Sequence, residues 1–257
     1  MRADGLLLDI DGVLAVSWKP LPGSIEAMAW LRDRGVPFRL ITNTTTHTRR
    51  ELAEILRAAG FDVKPDEIVT AVVATATYLR AHHAEAQVFV LTDGEPGEDL
   101  AGIDRVDDPA GADVVVLGGA CDDFSYSTIN RVFRSLMDGA ALVGMHRNLY
   151  WRTARGWELD GGAYIAGLEA AAGVTAEICG KPAPAYFAAV LAELRLTPER
   201  AAMVGDDVVN DVLGAQAVGL TGVLVRTGKF QPEDLSKGEV DVVLDALSEV
   251  PAWLEGG

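Results

Sequence analysis

The sequence predicts a doubly wound α/β domain built on a parallel sheet, with a second, smaller α/β domain inserted into it. Three observations lead to this fold class. Several short runs are apolar throughout, as in strands that are covered on both faces. Amphipathic helical patterns lie between these runs, and a block in the middle of the chain repeats the same alternation. With 257 residues, the chain is long enough for two domains.

The first and last parts of the chain supply the larger predicted domain. Its strands are short apolar runs that end abruptly in polar residues, and they are predicted at residues 5–10, 38–41, 176–179, 201–204 and 222–225. Its helices carry apolar residues on one face, and they are predicted from Ser24 to near Gly35, from about Thr48 to Ala59, and over residues 185–194. Strands and helices that alternate in this way predict a doubly wound parallel sheet.

Residues 81–177 form the predicted inserted domain, and residues 1–80 and 178–257 form the larger domain. Within the insert, strands are predicted at residues 87–91, 113–117 and 141–143, and a one-sided helix at residues 125–137. The acidic stretch at residues 93–111 contains glycine and proline and predicts a surface loop.

Acidic residues outnumber basic ones by 38 to 22, which gives a formal net charge of −16. A chain this acidic repels a phosphate backbone, so we expect no nucleic-acid partner. The two cysteines form neither a disulfide framework nor a zinc pattern, which suits a reducing compartment. We find no signal peptide and no apolar run of about 20 residues, and therefore expect a cytoplasmic protein without a membrane partner.

In an open α/β sheet, ligands bind at the carboxyl ends of the strands, and four of the predicted ends carry polar side chains. The first of these strands ends in Asp9 and Asp11, two positions apart. Two carboxylates this close repel each other, so a cation or a shared proton should accompany them. An ordinary carboxylate pair in the loop after a strand is the alternative interpretation.

The second and third strand ends offer groups that suit a phosphoryl oxygen. Thr42 and Asn43 supply a hydroxyl and an amide, although both are also typical caps for a following helix. Lys181 lies just before a helix whose start is fixed by Pro182 and Pro184. Its ammonium can neutralise an anion or hold a carboxylate, and a solvated surface lysine is the alternative.

The fourth strand end is the most acidic, with Asp206, Asp207 and Asp211 after Gly205. Glycine allows the backbone to turn there, so that the carboxylates face the crevice at the sheet edge. Ligands that offer only oxygen favour magnesium over zinc. Asp211 could instead cap the next helix. The four strand ends taken together predict a magnesium site for a phosphorylated ligand.

The four motifs, in this order, resemble those of the haloacid dehalogenase (HAD) superfamily of phosphatases. The stretch between Thr42 and Lys181 is long enough for a folded cap domain, whereas the stretch between Asp11 and Thr42 is too short. An insertion at that point looks like the class IIA branch. Within it, Gly-Lys-Pro-Ala-Pro-Ala-Tyr-Phe and Val-Leu-Val-Arg-Thr-Gly-Lys are most similar to the phospholysine phosphohistidine inorganic pyrophosphate phosphatase group.

This resemblance implies a HAD-like Rossmannoid core and a catalytic role for each matching residue. Asp9 would attack phosphorus and form an aspartyl phosphate, and Asp11 would act as general acid and then as general base. Thr42 and Asn43 would hold the phosphoryl group, and Lys181 would steady Asp9 and the transferred oxygens.

The resemblance also implies the metal site and the partners. Asp9, the backbone carbonyl of Asp11 and Asp206 would bind Mg²⁺, while Asp207 or Asp211 would orient the waters of the metal or Lys181. The substrate would be a small phosphorylated metabolite, selected by cap residues in the segment 145–164, and the caps of two chains could form a homodimer. The same segment could equally be a hairpin with its own packing.

Two other functions remain open at this point. The chain could be a binding or regulatory protein that keeps the phosphate pocket with little turnover, although an intact Asp9 and Asp11 pair argues against this. It could also be a mutase that transfers the phosphoryl group to an acceptor other than water.

Overall fold

The computed structural model describes residues 2–153 and 156–256. In chain order, the strands are β1 (Gly5–Asp9), β2 (Ala15–Val16), β3 (Lys19–Pro20), β4 (Phe38–Thr42), β5 (Ile68–Thr70), β6 (Val88–Leu91), β7 (Arg105–Val106), β8 (Val114–Leu117), β9 (Ala141–Gly144), β10 (Tyr150–Thr153), β11 (Gly156–Leu159), β12 (Glu177–Ile178), β13 (Ala201–Gly205), β14 (Thr221–Val225) and β15 (Val242–Leu244). The α-helices are α1 (Ser24–Asp33), α2 (Arg49–Ala58), α3 (Ala71–His82), α4 (Tyr126–Met137), α5 (Gly161–Ala172), α6 (Pro184–Leu194), α7 (Gly214–Gln216) and α8 (Val250–Glu255). Residues Val208–Leu213 form a π-helix.

The first unit contains a six-stranded sheet in the order β15-β14-β13-β1-β4-β5. It comprises the chain up to Thr42, Arg49–Val69, and the chain from Lys181 onward. The central strand β1 pairs in parallel with β13 and with β4, and all five of its residues are buried. The apolar run Leu6 to Leu8 within β1 is therefore explained by helices or loops that cover both faces of the sheet. This sheet confirms the predicted doubly wound α/β fold.

The second unit comprises Asn43–Thr48 and Thr70–Gly180 and has its own five-stranded sheet, in the order β12-β9-β8-β6-β7. The predicted insert, residues 81–177, falls inside this unit, which starts eleven residues earlier and includes α3. The apolar face of α3 explains the difference. Its buried side chains pack in one cluster with Val88, Val114 and Val116 of the second sheet.

Two sequence predictions for this region differ from the structure. The strand predicted at residues 176–179 for the larger domain is β12, which pairs with β9 of the second sheet instead. The predicted surface loop at residues 93–111 contains the 3₁₀ helix Gly97–Leu100 and the short strand β7. Hydrophobic runs of three or four residues do not specify which of two sheets they join, because both sheets bury both faces.

None of the helices within the described ranges has both the length and the apolar character that a bilayer span requires.

We predict that Leu79→Ala loosens the second unit selectively. Leu79 is fully buried within α3, and removal of its methyl groups should cost about 2–5 kcal/mol. Hydrogen exchange measured by mass spectrometry on the full chain should show lower protection in β6, β8 and β9. Leu8→Ala, which empties an equally buried position in β1, is the matched control and should affect β4 and β13 instead. Equal losses in both sheets from Leu79→Ala would contradict the boundary at Thr70.

Candidate active site

The carboxyl ends of β1, β4 and β13 bring most of the predicted site residues to one edge of the first sheet. Asp9 is the last residue of β1 and is in register with Ile41, one position before Thr42 at the end of β4. β13 ends at Gly205, directly before Asp206. Parallel strands end at the same sheet edge, which explains why residues so far apart in sequence meet here.

Lys181 is buried among the carboxylates of this edge and has 3% of its surface exposed. Its Nζ lies 2.7 Å from Asp9 Oδ1 and 2.6 Å from Asp211 Oδ1. Burial alone would lower the pKa of this lysine, but the charges of Asp211 and Asp9 outweigh burial and raise it. Lys181 is thus a buried cation that joins two motifs, and the alternative of a solvated surface lysine is wrong.

One carboxylate oxygen of Asp206 accepts a hydrogen bond, and the other oxygen is buried. Its Oδ2 accepts a hydrogen bond from the backbone N–H of Lys229 at 2.7 Å. Gly12 and Gly228 lie so close to this oxygen that a Cβ on either would approach it within 2.1 Å. Oδ1 is buried and has no hydrogen-bond partner among the described residues. Burial first, and then the charge of Asp9, raise the pKa of Asp206 to about 8.

Asp211 projects from the π-helix toward Lys181, with only 1% of its surface exposed. Its approach requires Gly205, because a Cβ at that position would lie 2.2 Å from the Asp211 side chain. Burial raises the pKa of Asp211 to about 6, although the charge of Lys181 opposes the shift. Single-turn π-helices often occur at functional sites, and this one directs Asp211 inward.

Asp207 caps the π-helix. The capping role that the sequence allowed for Asp211 therefore belongs to Asp207. Asp207 Oδ1 accepts hydrogen bonds from the backbone N–H groups of Val209 and Asn210, both at 2.9 Å. Its Oδ2 lies 3.0 Å from Lys229 Nζ. Desolvation acts to raise the pKa of Asp207, but Lys229 and the hydrogen bonds from Asn210 lower it to about 2.

Asp11 differs from the other acids because its side chain is exposed. The surrounding protein nevertheless desolvates the carboxyl enough to raise its pKa, against the opposing charges of Lys229 and Lys181. A carboxyl that retains its proton longer than usual, and that can reach solvent, suits a group that exchanges protons.

Thr42 and Asn43 lie on either side of the division between the two units. Thr42 is buried at the end of β4 in the first unit, beside β1. Asn43 begins the short segment Asn43–Thr48 of the second unit. The structure therefore places Thr42 with the acids of the first unit, and Asn43 is described as part of the second.

Three carboxylates of the first unit are close enough together to hold a cation. Asp9, Asp206 and Asp211 each present a carboxylate oxygen, and these oxygens lie within 4.8 Å of one another. The sequence predicted Asp9, Asp11 and Asp206 as the metal residues, so two of the three recur in this group. Buried carboxylates this close need added positive charge, and the orphaned Oδ1 of Asp206 is suited to accept a hard divalent cation such as Mg²⁺.

Sequence reasoning assigned no role to Lys229 and Tyr186. Lys229 lies in the Thr-Gly-Lys turn after β14, which is a fifth polar strand end with the same signal as the other four. Tyr186, in α6, is fully buried, and its hydroxyl donates to the backbone carbonyl of Val69 at 2.6 Å. Nothing in a single sequence distinguishes this tyrosine from other apolar positions of α6.

The contacts described for the segment 145–164 mainly serve its own packing. Its strands β10 and β11 form an antiparallel hairpin, and the rings of Tyr150 and Trp157 pack edge to face at 5.5 Å. Asp160 caps α5 by accepting from the N–H of Gly161, and it also accepts from the N–H of Ala120 in the loop after β8. Arg152 is one of the basic residues in this segment, and its side chain lies outside the part of the chain that the structure describes. Selection of substrate by this segment stays a prediction.

We predict that the protein without divalent metal loses stability as the pH rises. The pKa of Asp206 is about 8 when folded and near 3.8 when unfolded, so the folded state binds the extra proton between these values. The stability from this proton is complete below about pH 4 and is lost as the pH rises through about 8. The melting temperature measured in EDTA should therefore decrease as the pH is raised from about 5 to about 8.5. The decrease should be smaller for Asp206→Asn.

The matched control is Asp66→Asn, which removes an exposed acid from the same unit. Its melting temperature should follow the wild-type pH dependence. If the melting temperatures of Asp206→Asn and wild type changed equally with pH over this range, Asp206 would not be the buried group that takes up the proton.

Comparison with known proteins agrees with this geometry. A family model described as haloacid dehalogenase-like hydrolase matches residues 6–104, and a related HAD-like hydrolase model matches residues 178–250. Haloacid dehalogenase-like hydrolase domain-containing protein 2 of Homo sapiens is 37% identical over 232 residues, which cover 90% of this chain and 87% of that protein.

Two further relatives are named as phosphatases. The phospholysine phosphohistidine inorganic pyrophosphate phosphatase of Danio rerio is 37% identical over 252 residues, which cover 95% of this chain and 91% of that protein. The structure of a p-nitrophenyl phosphatase from Archaeoglobus fulgidus superposes with a TM-score of 0.91 at 27% identity, covering 98% of this chain and all of that one. The chain therefore belongs to the haloacid dehalogenase-like hydrolases, in the class IIA branch with an inserted cap, and is a phosphatase.

Proposed function

We propose that this phosphatase hydrolyses a small phosphomonoester, or a related phosphoryl compound, through an aspartyl phosphate on Asp9 with the help of Mg²⁺. The observation that carries the proposal is the ion-pair bridge from Asp9 through Lys181 to Asp211. The bridge fixes a buried carboxylate at the end of β1, beside a second acid that can take a metal ion. Such an arrangement suits a nucleophile that must meet an anionic substrate.

Charge is the main obstacle to this chemistry. A phosphate dianion approaching Asp9 meets a cluster of negative side chains, and Lys181 is already shared between two of them. Asp9, Asp206 and the backbone carbonyl of Asp11 would hold Mg²⁺, and Asp211 would keep Lys181 in place. When bound, Mg²⁺ supplies positive charge that offsets this repulsion and stabilises the phosphoryl oxygens.

Asp11 is the proposed proton donor and acceptor. Its raised pKa and exposure support a carboxyl that protonates the leaving oxygen and then takes a proton from the water that hydrolyses the intermediate. The hydroxyl of Thr42, one position after the Ile41 that is in register with Asp9, and the amide of Asn43 would bind the phosphoryl oxygens. Hydrolysis, rather than transfer to another acceptor, would release inorganic phosphate.

The substrate class follows from the relatives and not from this site alone. The names of those relatives refer to p-nitrophenyl phosphate, phospholysine, phosphohistidine and inorganic pyrophosphate. These compounds share a terminal phosphoryl group on different leaving groups. We therefore propose a small phosphorylated metabolite as the natural substrate.

The experiment that tests this function is a steady-state assay with p-nitrophenyl phosphate. Activity should require Mg²⁺, disappear in excess EDTA, and return when Mg²⁺ is restored. Asp9→Asn should lower kcat by at least about 10³-fold, because an amide cannot act as the nucleophile. Asp66→Asn should retain wild-type kinetics, since this residue lies outside the site.

A folded wild-type protein that releases no phosphate from any phosphomonoester or pyrophosphate would favour the binding protein. Isomerised substrate without inorganic phosphate would favour the mutase. Turnover that survives Asp9→Asn would show that another residue is the nucleophile.

A further inference from the structure

We propose that Lys229 weakens the hold of the acidic site on its metal ion, because its ammonium competes for the same carboxylates. The inference rests on the metal site of the proposed function and concerns a residue outside the four motifs. Lys229 lies in the loop after β14. Its Nζ is 3.0 Å from Asp207 Oδ2 and 4.0 Å from Asp206 Oδ1.

The two lysines of the site are held very differently. The side chain of Lys181 is 4% exposed and lies between two carboxylates, so it cannot leave without exposing buried charge. The side chain of Lys229 is 60% exposed. Its ammonium can move into water more readily than that of Lys181, because most of the Lys229 side chain already contacts solvent and its ion-pair partner Asp207 is itself 19% exposed. Lys229 is therefore the exchangeable cation of the pair, and Lys181 is the permanent one.

The backbone of the same loop acts in the opposite direction. The N–H of Lys229 engages Asp206 Oδ2 at 2.7 Å, and Gly228 packs against that oxygen with φ +61°. Asp206 is thereby fixed with Oδ1 available as the single metal-binding oxygen. The nearby Thr227 hydroxyl donates to the carbonyl of Gly12, which ties the loop to the segment after β1. The loop thus orients Asp206 through its backbone and opposes metal binding through its side chain.

The effect of the ammonium follows from charge. A divalent cation at Asp206 Oδ1 would lie close to Lys229 and would be repelled by it unless the side chain swings away. Replacement of Lys229 by an uncharged residue of similar length removes that repulsion and leaves the backbone contact intact. We expect Mg²⁺ to bind roughly tenfold more tightly to such a variant.

Isothermal titration calorimetry with Mg²⁺ alone, on the full chain at one fixed pH and ionic strength, tests the inference. Lys229→Met should lower the Kd for Mg²⁺ roughly tenfold, whereas Lys229→Arg should keep it within about threefold of wild type. Lys64→Met is the matched control. It removes the same charge from an exposed position before β5, the end strand on the side of the sheet away from β14. This variant should leave the Kd unchanged.

The outcomes separate this inference from the function on which it rests. Wild-type protein that binds no Mg²⁺ would overturn the proposed metal site itself. Wild-type protein that binds Mg²⁺, with an equal or weaker affinity in Lys229→Met, would overturn the role of Lys229 alone. Thermal melting in EDTA establishes that each variant is folded, and Lys229→Gln replaces Lys229→Met in the titration if the methionine variant does not fold.

Discussion

Three carboxylates, on Asp9, Asp206 and Asp211, are buried within reach of one another at the carboxyl edge of the first sheet. Buried ions of like charge repel strongly because the protein interior screens them poorly. Lys181 offsets part of this repulsion by contacting Asp9 and Asp211 together. Asp206 is not part of that bridge, and burial first, and then the charge of Asp9, raise its pKa. The rest of the site can be understood as the means of keeping these acids together.

Glycines are one such means. Gly12 and Gly228 allow two loops to close on Asp206, and Gly205 allows Asp211 to fold back against the end of β13. Gly12 and Gly228 also adopt positive φ, which side chains rarely tolerate. In the proposed function, this close packing would concentrate the groups that bind a cation and a phosphoryl group. The same packing should make the protein without a bound metal ion less stable than a core of apolar residues would be.

Much of the site could be predicted from the sequence because its chemistry lies at strand ends. Asp9, Thr42 and Asp206 end or follow strands of the first sheet, and the rule that parallel strands meet at one edge brings them together. Lys181 follows β12 of the second sheet, so its contacts with Asp9 and Asp211 do not follow from that rule. The resemblance of the four motifs to those of the HAD superfamily gave each motif its expected role. It also predicted the inserted cap domain. Lys229 carried the same signal, a polar turn after an apolar run, but a lysine after a strand is usually a surface residue.

The remaining features depend on tertiary contacts that one sequence does not encode locally. The strand predicted at residues 176–179 belongs to the second sheet because it pairs in parallel with β9. The second unit begins at Thr70, earlier than predicted, because α3 packs on that sheet. Asp207, rather than Asp211, became the cap because the π-helix turns Asp211 inward toward Lys181. In each of these cases the local sequence allows two structures about equally well. Packing or charge interactions with residues far away in the sequence determine which one forms.

Trapping is the most direct test of the proposed aspartyl phosphate on Asp9. Wild-type protein and Asp11→Asn would be mixed with a substrate labelled with ³²P on its phosphoryl group, quenched in acid within milliseconds, digested, and analysed by mass spectrometry. Label is expected on the peptide that contains Asp9. With p-nitrophenyl phosphate as the substrate, more label is expected in Asp11→Asn, because this leaving group departs without a proton and only hydrolysis of the intermediate is then slowed. Product formation without any labelled protein in either sample, or label on a different peptide, would contradict a nucleophilic role for Asp9.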